Sequence, residues 1–191
     1  MWGKNKEFDY WSMAIQILQE NNYDVFMCPY DNGNIYWEAI KYIDDERKIY
    51  DRLISDDILA VLGLMEILPD WKSGEVIEED YYERIDFWVL EKVGKNMINV
   101  NITDAGNTQN YALKKIYEWG YTVSAVTETE YLDDHMYYYA KKNGKTYLET
   151  SPVRLLGLLT IIEKYGQNWR QRKTVPHRYL LQLRETEYEE D

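Results

Sequence analysis

The sequence has little of what disulfides and metal sites require. It contains one cysteine, Cys28, and two histidines, His135 and His177, among 191 residues. A single cysteine excludes an intrachain disulfide and a multi-cysteine metal site. Because Cys28 closes a run of strand-forming residues, we predict a buried thiol in a reducing compartment. We expect no metal and no cofactor.

Long apolar runs are also missing. No segment approaches the ~20 apolar residues that a membrane-spanning helix needs. No apolar stretch of signal-peptide length follows the lysines near the amino terminus. We therefore expect a cytoplasmic protein that does not contact a membrane.

Motifs of known chemistry are absent. The chain has no GxxxxGK[ST], GxGxxG, HExxH or GxSxG. Asp133, Asp134 and His135 come nearest to catalytic chemistry, because a carboxylate beside a histidine can support a general base. The same spacing is typical of a solvated loop. We predict a non-enzymatic protein and keep a hydrolase using these three residues as a third hypothesis.

Positive charge is scarce. The chain has 22 Lys and Arg against 34 Asp and Glu, a formal net charge of −12. Sequence-independent nucleic-acid binding depends on lysine and arginine displacing counterions from phosphates. We therefore expect no nucleic-acid partner, and a charged partner should be a basic protein.

Tyrosine and tryptophan are abundant, with 19 Tyr and 7 Trp against 3 Phe. Both side chains combine a large apolar face with a polar tip, which suits recognition surfaces and half-buried sheet faces. The strand segments richest in them place neighbours on opposite faces. The candidate binding residues there are Tyr36, Trp37, Tyr137, Tyr138 and Tyr139. A half-solvated sheet face would give the same pattern.

An internal repeat runs through the chain. Its two halves align with residues of the same type in the same order, including the pairs Ala14–Ala112, Glu20–Glu118, Tyr23–Tyr121, Val25–Val123, Ala39–Ala140, Lys41–Lys142, Gly63–Gly157 and Trp71–Trp169. Such agreement indicates a duplication. We predict repeats at 1–84 and 107–182, a linker at 85–106 and an acidic tail at 183–191.

Each repeat has the pattern of a helix, three strands and a helix. Trp11, Ile15 and Leu18 recur at helical spacing, and the middle segments are rich in β-branched and aromatic residues. Asn143-Gly144 predicts a hairpin turn. The fold class is therefore α+β, an α-β-β-β-α unit twice, with antiparallel sheets and a pseudo-two-fold arrangement.

The second helix of each repeat is apolar on most of its faces and should be buried. Ser55 and Ser151 are the predicted N-caps. Gly63 and Gly157 recur inside these helices, where glycine costs about 1 kcal/mol relative to alanine. Their recurrence predicts a close backbone approach to the sheet or to the other helix; the alternative is an inherited accident.

The segments that follow these helices differ in charge. After Trp71 come Glu75, Glu78, Glu79 and Asp80, whereas after Trp169 come Arg170, Arg172, Lys173 and Arg178. The four acidic residues are candidates for binding a basic partner. A solvated face without function is the alternative, because surface ion pairs contribute little.

Two function classes lead. The first is an interaction protein that binds a basic partner, as an inhibitor or immunity-type protein does. The second is a protein that binds a small ligand or carbohydrate in an aromatic cleft between the repeats.

Overall fold

The computed structural model describes residues 8–30, 33–44, 47, 49–73, 100–103, 106–128 and 135–171. The first half contains α1 (Phe8–Glu20), β1 (Asp24–Pro29), β2 (Ile35–Asp44), β3 (Ile49–Ser55) and α2 (Ile58–Ser73). After β4 (Val100–Thr103), the second half contains α3 (Gly106–Glu118), β5 (Thr122–Glu128), β6 (His135–Lys142), β7 (Lys145–Glu149), α4 (Pro152–Tyr165) and a 3-10 turn, Trp169–Gln171. The α+β class is confirmed, and both halves run helix, three strands, helix.

Two short polar residues begin the long apolar helices. The side chain of Ser151 accepts a hydrogen bond from the backbone N–H of Arg154, which confirms the predicted N-cap of α4. The prediction for α2 is wrong. There Asp57 is the cap, because its carboxylate accepts from the N–H of Leu59 at 2.8 Å. Ser55 is the last residue of β3, so its backbone belongs to the sheet.

Each half supplies three antiparallel strands, in the orders β1-β2-β3 and β5-β6-β7. Asn143 and Gly144 both have positive φ, 53° and 74°, as the predicted hairpin turn requires. The predicted antiparallel pairing of the three strands in each half is confirmed, and β4, from the segment between the halves, adds a parallel neighbour to β3 in the first sheet. Parallel neighbours need a crossover connection, and α2 lies within it.

The long helices lie between the sheets. α2 packs on β2 and β3, α4 packs on β6 and β7, and the two helices pack against each other. Because strand side chains alternate, Trp37 and Ala39 of β2 enter the core, as do Tyr138 and Ala140 of β6. α1 and α3 each pack on both long helices. The burial predicted for α2 and α4 is confirmed.

Gly63 and Gly157 lie at the contact between α2 and α4. A Cβ on Gly63 would lie 2.1 Å from the carbonyl oxygen of Val153, and one on Gly157 would lie 1.9 Å from that of Leu59. Atoms cannot approach so closely, so only glycine lets the two backbones come this near. The predicted close approach is confirmed, and its partner is the other helix.

Candidate functional site

A cleft of about 700 Å³ opens between the two halves, at the carboxyl-terminal ends of all four helices. Sites for small molecules have volumes of roughly 300–1,000 Å³. The first half contributes side chains from α1, β2, β3 and α2, and the second half contributes side chains from α3 and α4. The cleft is therefore formed only when the two halves pack together.

Four lysines line this cleft, although the chain as a whole is acidic. The carboxyl-terminal end of a helix carries partial negative charge, which favours lysine there. Three of the lysines are paired with carboxylates: Lys72 with Asp51, Lys115 with Asp70 and Lys164 with Glu20. These ion pairs connect side chains at the rim of the cleft. The fourth lysine has no carboxylate partner of this kind among the described residues.

Lys41 of β2 is that fourth lysine. Its ammonium nitrogen lies 5.6 Å from the ring centroid of Tyr23, a cation–π contact. Among the described residues, no carboxylate pairs with Lys41 and no side chain hydrogen-bonds the Tyr23 hydroxyl. Burial and the nearby Asp51 raise the pKa of Tyr23, so the phenol keeps its proton. Two residues that line the cleft therefore carry hydrogen-bond donors, the ammonium of Lys41 and the phenol of Tyr23.

The second half contains the corresponding tyrosine and lysine with a carboxylate bound to them. The Tyr121 hydroxyl and the Lys142 ammonium each donate to the same Glu163 oxygen, both at 2.8 Å. The Lys142 nitrogen lies 4.6 Å from the centroid of the Tyr121 ring. The hydrogen bonds from Lys142 and Tyr121 lower the pKa of Glu163. A tyrosine–lysine pair at this position of the fold therefore holds an ionised carboxylate.

Glu66 brings a half-buried carboxyl group into the cleft. Burial raises its pKa, while Lys115, Thr160 and Lys164 counteract part of that rise. The net direction is upward, so Glu66 protonates at a higher pH than an exposed glutamate does.

An irregularity in β2 shapes the mouth of the cleft. Tyr42 pairs with Tyr50 and Asp44 pairs with Ile49, which leaves Ile43 as an extra residue. A β-bulge of this kind changes the direction in which a side chain points. Ile43 is 53% exposed and lines the cleft, so it gives the mouth an apolar edge.

The predicted aromatic residues of the first sheet lie on its two faces. Trp37 is 1% exposed and packs edge to face against Trp11, with ring centroids 5.2 Å apart. It belongs to the core and offers no surface to a partner. Tyr36 lies on the outer face beside Tyr30, with ring centroids 4.7 Å apart. Neither residue lines the cleft.

The second sheet divides its tyrosines in the same way. Tyr138 is buried in the core, whereas Tyr137 and Tyr139 are partly exposed on the outer face. Leu148 lies opposite Tyr139 and is 43% exposed. The predicted aromatic residues therefore lie on two different sheets and do not form one site.

The charged candidates fall mostly outside the described residues. Glu75, Glu78, Glu79 and Asp80 lie there, as do Asp133 and Asp134. For His135 only the backbone is described, as the first residue of β6. The predictions that rest on these residues stay predictions.

A buried carboxylate on the outer face of the first sheet was not foreseen. Glu38 is fully buried, pairs with Arg52 and accepts a hydrogen bond from the Cys28 thiol at 3.6 Å. Burial, Cys28 and Glu38 raise the pKa of Tyr36 next to it, and Arg52 counteracts part of that rise. Alternation placed Glu38 on the face of Tyr36, but no pattern in the sequence indicated that this face is covered. The predicted burial of Cys28 is confirmed.

These features define an α+β protein with a cleft between two similar halves, lined by apolar side chains and a few charged ones. Among the residues that the structure describes, no group of three or more His, Cys, Asp or Glu could hold a metal ion. No described helix is long and apolar enough to span a membrane. No family model matches the chain, and no curated protein or solved structure is significantly similar to it.

Proposed function

We propose that the protein is a non-enzymatic binding protein whose cleft accepts a small molecule. The observation that carries this proposal is the cleft of about 700 Å³ at the boundary between the halves. Its lining combines apolar side chains such as Ile17, Leu68 and Trp119 with the donors of Tyr23 and Lys41. An apolar wall with a few convergent polar groups is typical of small-molecule sites.

We further infer that the halves are duplicated copies related by a pseudo-two-fold axis. Their backbones support this in detail, because the N–H of Tyr23 donates to the carbonyl of Leu18 at 3.0 Å and that of Tyr121 donates to the carbonyl of Ile116 at 3.2 Å. Between helix and strand, Asn22 and Gly120 both have positive φ. Two loops of unlike sequence therefore take the same local path.

The contact between the long helices also supports a pseudo-two-fold axis. Gly63 meets Val153, and Gly157 meets Leu59. In a two-fold contact each patch meets its own counterpart, so contacts are reciprocal in this way. Unlike pairs at aligned positions line the cleft: Ile17 and Lys115, Asn21 and Trp119, Glu66 and Thr160, Pro69 and Glu163. The packing that both halves share does not require the residues of these pairs to differ. We expect such differences where two copies have diverged to form one binding site.

A ligand screen on the full chain tests the cleft. Thermal unfolding with a library of small acids, sugars, amines and phosphates should show a rise in Tm for one class, because a ligand at 100 times its Kd adds about 2.7 kcal/mol. Met65→Trp should reduce the shift by filling the cleft. The matched control, Leu148→Trp, adds the same ring on the outer face. Equal shifts in both variants, or no shift from any class, would contradict the proposal.

Binding of a basic protein is the second candidate. It is supported by the net charge of −12 and by exposed apolar side chains at Tyr30, Ile35 and Tyr42. The test is an affinity pull-down at low and high salt with the wild type and with a variant neutral at Glu75, Glu78, Glu79 and Asp80. If both forms retain a basic partner equally well at low salt, the four acidic residues do not take part in binding it.

A further inference from the structure

We infer that Tyr23 and Lys41 form a carboxylate subsite in the cleft, so that its ligand is a small organic acid. The inference rests on the proposed function, because it names the chemistry of the ligand that the cleft binds. The same chain contains a counterpart of this pair, Tyr121 and Lys142, which binds a carboxylate.

The two pairs occupy the same place in the fold. Tyr23 directly precedes β1 and Tyr121 directly precedes β5. Continuing the register from Asp24–Ile40 and from Thr122–Lys141 sets each tyrosine opposite its lysine, Lys41 or Lys142. Both tyrosines are buried to a similar degree, 5% and 3% exposed. A carboxylate that reaches Tyr121 in the second half could therefore reach Tyr23 in the first.

The second pair shows what the arrangement binds. Glu163 gives one carboxylate oxygen to both the Tyr121 hydroxyl and the Lys142 ammonium, at 2.8 Å each. Hydrogen bonds to an ionised acceptor are stronger than neutral ones. Glu163 thus serves within the chain as a stand-in for a bound acid.

The first pair lacks that carboxylate for a reason visible in the sequence. Glu163 and Pro69 lie equally far beyond the glycines of their helices, Gly157 and Gly63. Pro69 has neither charge nor a side-chain hydrogen-bonding group. The first half therefore keeps the two donor residues, Tyr23 and Lys41, but has the uncharged ring of Pro69 in place of a carboxylate. Both donor residues line the open cleft.

The remaining charges around the subsite permit an anion. Asp51 lies nearest on β3, opposite Lys41 in the register, and is paired with Lys72. Glu66 interacts with Lys115 and Lys164, and Glu163, which also lines the cleft, is paired with Lys142. Lys41 is left as the positive charge without a partner among the described groups, and Ile17, Leu68 and Trp119 offer an apolar wall for the body of the acid.

The test uses a matched pair of probes on the full-length protein, 3-phenylpropionate and its neutral amide, by isothermal titration and ligand-observed NMR. The acid should bind about tenfold more tightly, because hydrogen bonds to a charged acceptor are stronger than those to a neutral one. Lys41→Met should reduce acid affinity to that of the amide, and Tyr23→Phe should weaken it by a smaller factor. Lys141→Met removes the same charge from an exposed site on β6 and should leave both affinities unchanged.

Pro69→Glu gives a second and independent variant. It places a carboxylate where Glu163 stands in the other half, so the subsite should be filled from within and acid binding lost. Replacing proline inside a helix also favours the helix, so this variant should fold and unfold at a higher Tm. Retained acid binding in a folded Pro69→Glu protein would overturn the inference.

The outcomes separate the subsite from the cleft. Equal affinity for acid and amide, abolished alike by Met65→Trp, would overturn the carboxylate subsite and leave small-molecule binding intact. Failure of both probes and of every library class would overturn the proposed function and the subsite with it. Acid binding that is lost in Lys41→Met and kept in Lys141→Met supports both.

Discussion

Glu66 and Glu163 line the same cleft, yet their surroundings shift their pKa values in opposite directions. Burial raises the pKa of Glu66, whereas hydrogen bonds from Lys142 and Tyr121 lower that of Glu163. A raised carboxyl pKa means that the folded chain binds more protons than the unfolded chain, so stability falls as the pH rises through the window above the ordinary value. A lowered pKa has the opposite consequence.

Glu66→Gln should therefore raise the free energy of unfolding at pH 7. The gain should disappear below the ordinary glutamate pKa of about 4.3, where Glu66 is protonated in both states. Urea denaturation of the full chain at pH 7 and pH 4 measures it. Glu163→Gln is the contrasting variant and should lower stability at pH 7 by less than about 1 kcal/mol, because Glu163 is partly exposed. If the free energy of unfolding changes in the same direction in both variants, the pKa values of Glu66 and Glu163 are not shifted in opposite directions.

Among the elements, those with strong local signals were predicted correctly. Ser151 ahead of Pro152 and a broad apolar face located α4, and Asn143-Gly144 located the β6–β7 turn. The start of α2 was misplaced because Ser55, Asp56 and Asp57 all suit an N-cap, and only strand pairing decides between them. The parallel edge of β4 depends on a crossover, which local patterns do not encode.

The close contact between α2 and α4 should make the protein sensitive to replacement of its two glycines. Gly63→Ala and Gly157→Ala should each destabilise the protein by about 2 kcal/mol net, because the new methyl group would collide with a backbone carbonyl oxygen of the facing helix, and such overpacking costs about 3 kcal/mol at the upper end of its usual range. The gain of about 1 kcal/mol in helix propensity offsets only part of this cost. Thermal unfolding should show a loss of about 2–4 °C per kcal/mol.

A third glycine serves as the control for these substitutions. Gly144 has a φ of 74°, and a Cβ added there would have no atom within 4 Å, so Gly144→Ala carries only the conformational cost of about 1–2 kcal/mol. Ring-current NMR shifts of core methyls should change in the helix variants alone, because the Gly144 turn lies outside the contact between α2 and α4. A Tm that is unchanged or raised in Gly63→Ala or Gly157→Ala would remove the packing explanation.

For the whole molecule, the sequence predicted the parts better than the site. Comparison of the halves identified Tyr23, Lys41, Tyr121 and Lys142 as recurring residues, but only packing shows that one pair lines a cleft and the other holds Glu163. Alternation placed Trp37 among the binding candidates because a strand pattern does not say which face the helices cover. Long-range contacts decide which pair lines the cleft and which strand face is covered. Such contacts cannot be inferred from local patterns in a single sequence.

The halves should depend on each other for folding. Alone, residues 1–104 would expose the face of α2 that packs on α4, including Leu59, Gly63 and Ile67. Each fully buried aliphatic side chain contributes about 1.5–3 kcal/mol to stability. The net free energy of unfolding of a whole protein is only about 5–15 kcal/mol, so exposing several such side chains is enough to unfold the fragment. Residues 105–191 should fail in the same way. Circular dichroism and size-exclusion chromatography should find each fragment unfolded or self-associated.

Mixing the fragments should restore a one-to-one complex with the cooperative unfolding of the intact chain, because the Gly63–Val153 and Gly157–Leu59 contacts re-form only between α2 and α4. Adding Gly157→Ala to the second fragment should weaken the complex at least tenfold, since about 1.4 kcal/mol corresponds to tenfold in Kd. Lys141→Met in the same fragment changes an exposed side chain of β6 outside the contact and should leave the Kd within about threefold of the unmodified pair. A first fragment that is monomeric and unfolds cooperatively alone would show that the halves are separate domains, and the cleft would then be a groove between them rather than part of one core.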